Sequence, residues 1–182
     1  MLEEILKNMP EIAGEDILWF ITDKDGHIAM FASMGWGVVP IITLLKYEEN
    51  ICLFDYFSSI KESRTVNFLT DPKNIDEECI NIAKCGIFYY SYDDEKKDGN
   101  YHLWICPEKP LMLTELSLHW QFLLNKIKVK DTCFIENYKI MPHKHINCIG
   151  SPTGLLMALA KKSLKEEDVI KRIQNAMSDA GE

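Results

Sequence analysis

Histidine and thiol side chains gather in one short stretch, His143-Lys144-His145 with Cys148, and these are groups that bind zinc. A structural zinc site closes around four ligands, whereas this stretch offers three, with no second pair at a matching spacing. Two histidines one residue apart also point to opposite sides of an extended backbone. Surface histidines beside a buried cysteine are the expectation, and neither a metal nor any other cofactor is predicted. Nucleophilic chemistry would need a cysteine next to a histidine. Cys52, Cys79, Cys85, Cys106, Cys133 and Cys148 can be paired with the five histidines in many ways, and spacing singles out none of them. A reactive thiol needs an electropositive, partly exposed setting. Cys79 and Cys85 fall instead on the inner face, or near the C-terminal end, of a predicted helix, where the dipole opposes a thiolate. Gly150-Ser151-Pro152-Thr153-Gly154 precedes a helical pattern, as anion-binding loops do, but it lacks the lysine and glycine spacing of a phosphate loop. Pro152 removes one donor, and helix capping accounts for the segment. No catalytic residue is therefore assigned. The alternative is a hydrolase whose Cys/His or carboxylate site is assembled from distant positions.

Residues suited to binding stand out more clearly. Trp36 lies between Gly35 and Gly37, with Pro40 following. An aromatic side chain on such a loop fits an exposed anchor for a partner, or folds inward to cover the core. The core is favoured, because most of the four tryptophans must be buried. Acidic runs occur at Glu48-Glu49, Asp76-Glu77-Glu78, Asp93-Asp94-Glu95 and Glu166-Glu167-Asp168. They read as solvated faces that keep a protein soluble, or as a negative surface complementary to a basic protein. Trp36, Asp93, Asp94 and Glu95 are accordingly the candidate partner-binding residues.

The chain that must position them has 182 residues and a formal charge of −8, with 47% hydrophobic and 26% charged residues. That is enough for one well-packed domain, spanning 1–182, and an ordinary balance for a globular protein. The negative charge disfavours generic binding to nucleic acid or an anionic membrane surface, and no apolar run is long enough to span a bilayer. Met1-Leu2-Glu3-Glu4 is acidic where a secretory signal is basic, so a cytoplasmic protein is expected. The even cysteine count permits a disulfide framework, but the apolar setting of most of these residues favours buried free thiols.

Two hairpins are the clearest elements. Ile17–Thr22 is a β-branched and aromatic run, Asp23-Lys24-Asp25-Gly26 has turn chemistry, and the chain returns through His27–Ser33. The second pairs Ile87–Tyr92 with Tyr101–Cys106 across the polar stretch 93–100. A helix is predicted over about 41–62, with Leu44, Tyr47, Ile51, Phe54 and Phe57 on its inner stripe. A second spans 75–85, with Asn74 as its cap and Gly86 just past its end. Residues 115–127 fit a helix or an alternating strand; helix is chosen, with Thr114 as cap. Residues 131–141 read as a strand, and helices are predicted at 2–8, from Leu155 to Lys162, and beyond Ser163. The fold class is α+β: an antiparallel sheet built from hairpins, with packed helices, in a single domain.

Two of these stretches also carry a resemblance. Trp19–Phe31 with Gly35-Trp36-Gly37-Val38-Val39-Pro40 forms a W-x-x-x-D-x-x-G-x-x-A-x-F…G-x-G-x-x-P opening. Cys85-Gly86-Ile87-Phe88-Tyr89-Tyr90-Ser91-Tyr92-Asp93, with Tyr101 and Pro107-Glu108-Lys109-Pro110-Leu111, forms a later block. Together, over about a third of the chain, they resemble small bacterial proteins encoded beside polymorphic toxins, among which cognate immunity proteins are found. The resemblance implies a cytosolic protein that neutralises a basic toxin domain by occluding its active site. It brings no active-site residues.

Overall fold

The structure, a computed structural model, describes residues 16–146 except 62, 94, 95, 97 and 98, together with Glu167, Asp168, Lys171 and Gln174. Strands β1 (Leu18–Thr22) and β2 (Ile28–Ala32) form the first hairpin. Helices α1 (Ile41–Leu45) and α2 (Tyr47–Ser59) follow, then β3 (Val66–Phe68) and α3 (Glu77–Lys84). Strands β4 (Phe88–Tyr92) and β5 (Tyr101–Pro107) form the second hairpin, followed by α4 (Leu118–Leu124) and the short β6 (Lys139–Ile140). The α+β expectation is met. No helix among the described residues is long and apolar enough to cross a membrane.

The sheet order is β1-β2-β4-β5-β3, with β6 also pairing β5. It is mixed rather than antiparallel: β2 and β4 lie side by side and parallel, Ala29 opposite Phe88 and Ala32 opposite Ser91. The connection between them carries α1, α2, β3 and α3, with α2 and α3 packed across one face before the chain returns, and a crossover of that kind delivers a parallel strand. β3 and β6 share the outer side of β5, at opposite halves of its length.

Alternation along the strands divides the core in two. Trp19, Ile21, Ala29, Phe31, Phe88, Tyr90, Tyr101 and Leu103 face one side, where Ile41, Leu44, Val129, Phe134 and Ile140 cover them. Phe20, Ile28, Met30, Ala32, Tyr89 and Ile105 face the other, against Leu53 and Phe57 of α2, Cys79, Ile82 and Ala83 of α3, and Leu124 of α4. This division explains why the predicted 41–62 helix is two helices. Ile41 and Leu44 belong to the first core and Leu53 and Phe57 to the second, so the axis must turn, and it does so at non-helical Lys46 (φ −119°, ψ 41°). The inner stripe shifts accordingly to Asn50, Leu53 and Phe57, leaving Ile51 and Cys52 exposed rather than buried.

Other boundaries move for local reasons. The second predicted helix is α3, which starts after Asp76, because Asp71 caps a 3-10 turn at Pro72–Asn74 by accepting the Lys73 N–H. Gly86, with φ +100°, ends α3 as expected. The third begins after Ser117 and not Thr114, since Leu113–Glu115 is a 3-10 turn in which Glu115 accepts the Met112 N–H at 2.7 Å and pairs with Arg64. Of the strand predicted over 131–141, only β6 forms; the backbone ahead of it is drawn into turns that contact the first hairpin. The helices predicted at 2–8 and 155–162 lie outside the described residues.

Candidate functional site

Because β2 and β4 are parallel, the loop after one and the turn after the other emerge at the same end of the sheet. The first is Ser33-Met34-Gly35-Trp36-Gly37. Met34 and Gly35 take consecutive left-handed conformations (φ +50° and +74°), unusual for methionine, so something must hold them. Asp16 does: its Oδ1 accepts the Met34 N–H at 2.6 Å and the Ser33 hydroxyl at 3.2 Å. Ser33 Oγ in turn accepts the Ile17 N–H, and its carbonyl accepts the N–H groups of Trp36 and Gly37. Gly37 lies against the Tyr101 ring, whose hydroxyl donates to the Val38 carbonyl at 2.9 Å. The result is a tightly bonded loop from which Trp36 projects, 54% exposed, with Met34 beside it at 44%. The preference for burying Trp36 is thus corrected. The loop is too short and too fully bonded to its own base to fold the indole back over the core.

Asp16 is exposed as a residue, yet its carboxyl is the end that faces the loop. Burial there raises its pKa, offset in part by the hydrogen bonds from Met34 and Ser33. A carboxyl with a higher pKa in the folded chain than in the unfolded one favours folding when protonated, and its ionisation removes stability as pH rises through the folded pKa. Asp16→Asn keeps an acceptor oxygen and carries no charge. It is expected to raise the urea midpoint at neutral pH relative to the parent, and the gain should vanish at pH values below the ordinary carboxylate range.

The turn after β4 begins with Asp93. Lys96 closes it, its ammonium 2.6 Å from Asp93 Oδ2 and its N–H donating to Oδ1 at 3.2 Å. These hydrogen bonds hold the Asp93 pKa below the ordinary carboxylate value. Asp94 and Glu95 lie outside the described residues. Two of the four predicted contact residues, Trp36 and Asp93, therefore stand at one end of the sheet.

The other end holds a cluster that sequence spacing did not single out. Asp23, at the close of β1, is fully buried. Its Oδ1 accepts the N–H groups of Asp25 (3.0 Å) and His27 (2.8 Å). Its Oδ2 lies 2.8 Å from His27 Nδ1 and accepts the Phe134 N–H at 2.8 Å. One carboxylate thereby folds its own turn and fastens it to a segment 111 positions along the chain. Cys133 precedes Phe134, so its thiol arrives at the same place, and Asp23, Asp25, His27 and Cys133 each bring one donor atom within 4.8 Å of the others. Burial raises the Cys133 pKa, and the side chains of Asp25 and Asp23 push it the same way. The local clue was the Asp–His pair flanking the turn; the cysteine's arrival depends on tertiary structure alone.

The stretch His143-Lys144-His145 with Cys148 is described only in part. His143 is exposed in the turn Pro142–Lys144, and His145 Nδ1 lies 2.9 Å from Asp131, while Cys148 is outside the described residues. Gly150–Gly154 lies outside them too. Cys79 and Cys85 are buried, the Cys85 thiol 3.5 Å from the Phe57 and Asn81 carbonyls, and burial pushes Cys79 up to about 12. A cavity of about 30 Å³ lies between α1, α2 and the end of α4, lined in part by Phe20, Leu53 and Leu123. Glu49 pairs with Lys46 and Lys126 at its rim, and the buried Thr43 hydroxyl in its wall has no partner among the described residues. The cavity has room for about one or two waters. A more open cleft includes Arg64 and Cys85, but the Arg64 guanidinium is engaged by Glu115 and the Lys109 and Pro110 carbonyls. No family model, curated protein or solved structure matches this chain.

Proposed function

We propose that this chain is a non-catalytic binding protein that engages a basic protein partner through the end of the sheet bearing Trp36 and Asp93, together with Asp94 and Glu95, which follow Asp93 in sequence. The observation that carries the reading is the exposed indole of Trp36 on a loop fixed by Asp16, Ser33 and Tyr101. An ordered loop loses little conformational entropy on binding, and aromatic side chains supply a disproportionate share of interface energy. The net charge of −8 speeds encounter with a cationic partner. Taken with the resemblance in the two hairpin blocks, this supports a cytoplasmic immunity protein that covers the active site of a toxin.

The hydrolase alternative has one observation in its favour, the placing of Cys133 with His27 and Asp23. The electrostatics weigh against it. A cysteine nucleophile is helped by surroundings that lower its pKa, and here burial and two carboxylates raise it.

Trp36→Ala is expected to leave the unfolding free energy from urea denaturation within about 0.5 kcal/mol of the parent, as an exposed substitution should. Affinity for the basic protein recovered with the chain from its native host should fall by at least about tenfold, measured by titration calorimetry. Recovery of no protein partner, or unchanged affinity in the variant, overturns the assignment.

A further inference from the structure

We propose that Asp25, His27 and Cys133, with Asp23 behind them, bind a single zinc ion that ties the β1–β2 turn to the segment around Phe134. Carboxylate, imidazole and thiolate together suit zinc better than they suit magnesium or calcium, which take oxygen ligands. All four residues bring a donor atom within 4.8 Å of the others, so a small contraction would close Asp25, His27 and Cys133 on one ion. Asp23, His27 and Cys133 are buried while Asp25 is exposed, which gives a dry inner side and an open side by which an ion enters. Asp23 already receives three backbone N–H groups, and its contact with His27 Nδ1 is the carboxylate–imidazole arrangement that orients metal-bound histidines. It is therefore a positioning residue; the ion rests on the other three, and water entering on the exposed Asp25 side completes the four ligands. On binding, the Cys133 S–H bond breaks, its proton leaves to solvent, and the sulfur lone pair forms the bond to zinc; no oxidation state changes.

The site lies at the end of the hairpin away from Trp36, so its test is independent of partner binding. The purified full chain is titrated with zinc against a chromophoric chelator, and in parallel with cobalt(II). One ion per chain is expected, with a thiolate-to-cobalt charge-transfer band and a raised unfolding midpoint in the presence of zinc. Cys133→Ala should abolish the band and weaken zinc binding at least about tenfold. Asp25→Asn, at an exposed side chain outside the Asp23 hydrogen bonds, should weaken zinc binding similarly with the fold intact by circular dichroism, which decides the matter if Cys133→Ala fails to fold. Cys52→Ala, which removes an exposed thiol on α2, should change neither readout. Absence of one-to-one binding overturns the proposal. So does a band that survives Cys133→Ala, or one that disappears with Cys52→Ala or Cys148→Ala.

Discussion

Asp23→Ala should destabilise the chain by roughly 4 kcal/mol or more, the largest effect of any single substitution considered, and urea denaturation of the purified variant measures it. The cause is what the carboxylate leaves behind. The Asp25, His27 and Phe134 N–H groups and the His27 ring lose their partner at once, in a place from which water is largely excluded. Each orphaned buried donor costs about 1–3 kcal/mol. Asp23→Asn keeps one acceptor oxygen and should cost about half as much. Asp25→Ala removes a neighbouring carboxylate but none of these bonds, and should stay within about 1 kcal/mol of the parent. A loss in Asp25→Ala equal to that in Asp23→Ala would show that the cluster's charge, and not its hydrogen bonds, sustains the turn.

Gly37→Ala is expected to cost about 2–3 kcal/mol, for a reason unrelated to glycine's conformational freedom. A methyl group there would run into the Tyr101 hydroxyl, lie 2.8 Å from Tyr101 Cζ and stand 3.0 Å from the Ser33 carbonyl oxygen. Tyr101 is wholly buried and bonded to Val38, so it has little room to retreat. Removing the hydroxyl should partly relieve the clash. Tyr101→Phe alone should cost about 1 kcal/mol for its hydrogen bond, yet the double variant should be more stable than the two single losses added together, by about 1 kcal/mol. Strict additivity in that cycle would mean that the methyl group is accommodated elsewhere. Because Gly37 ends the loop that carries Trp36, the single variant should also weaken partner binding, and the double variant should recover part of it.

Local chemistry made the hairpins legible. The β-branched and aromatic runs, the Asp23–Gly26 turn and the Gly86 helix stop all needed only neighbours in sequence, and they appear where expected. The sheet's mixed character was hidden, because the parallel pairing of β2 and β4 is decided by the path of the helices between them. Periodicity also misled over 41–62: a three-and-four spacing shows that residues share a stripe, but not that the stripe faces two cores in turn. The strand predicted over 131–141 failed because a buried carboxylate claims the Phe134 N–H that a strand would have offered to its neighbour. For the same reason Cys133 looked like an ordinary core thiol, its company being set by Asp23 from the far end of the described chain.

The parallel contact between β2 and β4 has a kinetic consequence. Each hairpin joins residues close in sequence and can zip up by itself, but the seam between them forms only after the long crossover has collapsed onto the sheet. That seam is the entropically dear step, and closing it sets the pace of refolding. Substitutions along it, at Ala29 or Tyr90, should slow the refolding limb, and so should changes within the β1–β2 turn, which is already formed when the seam closes.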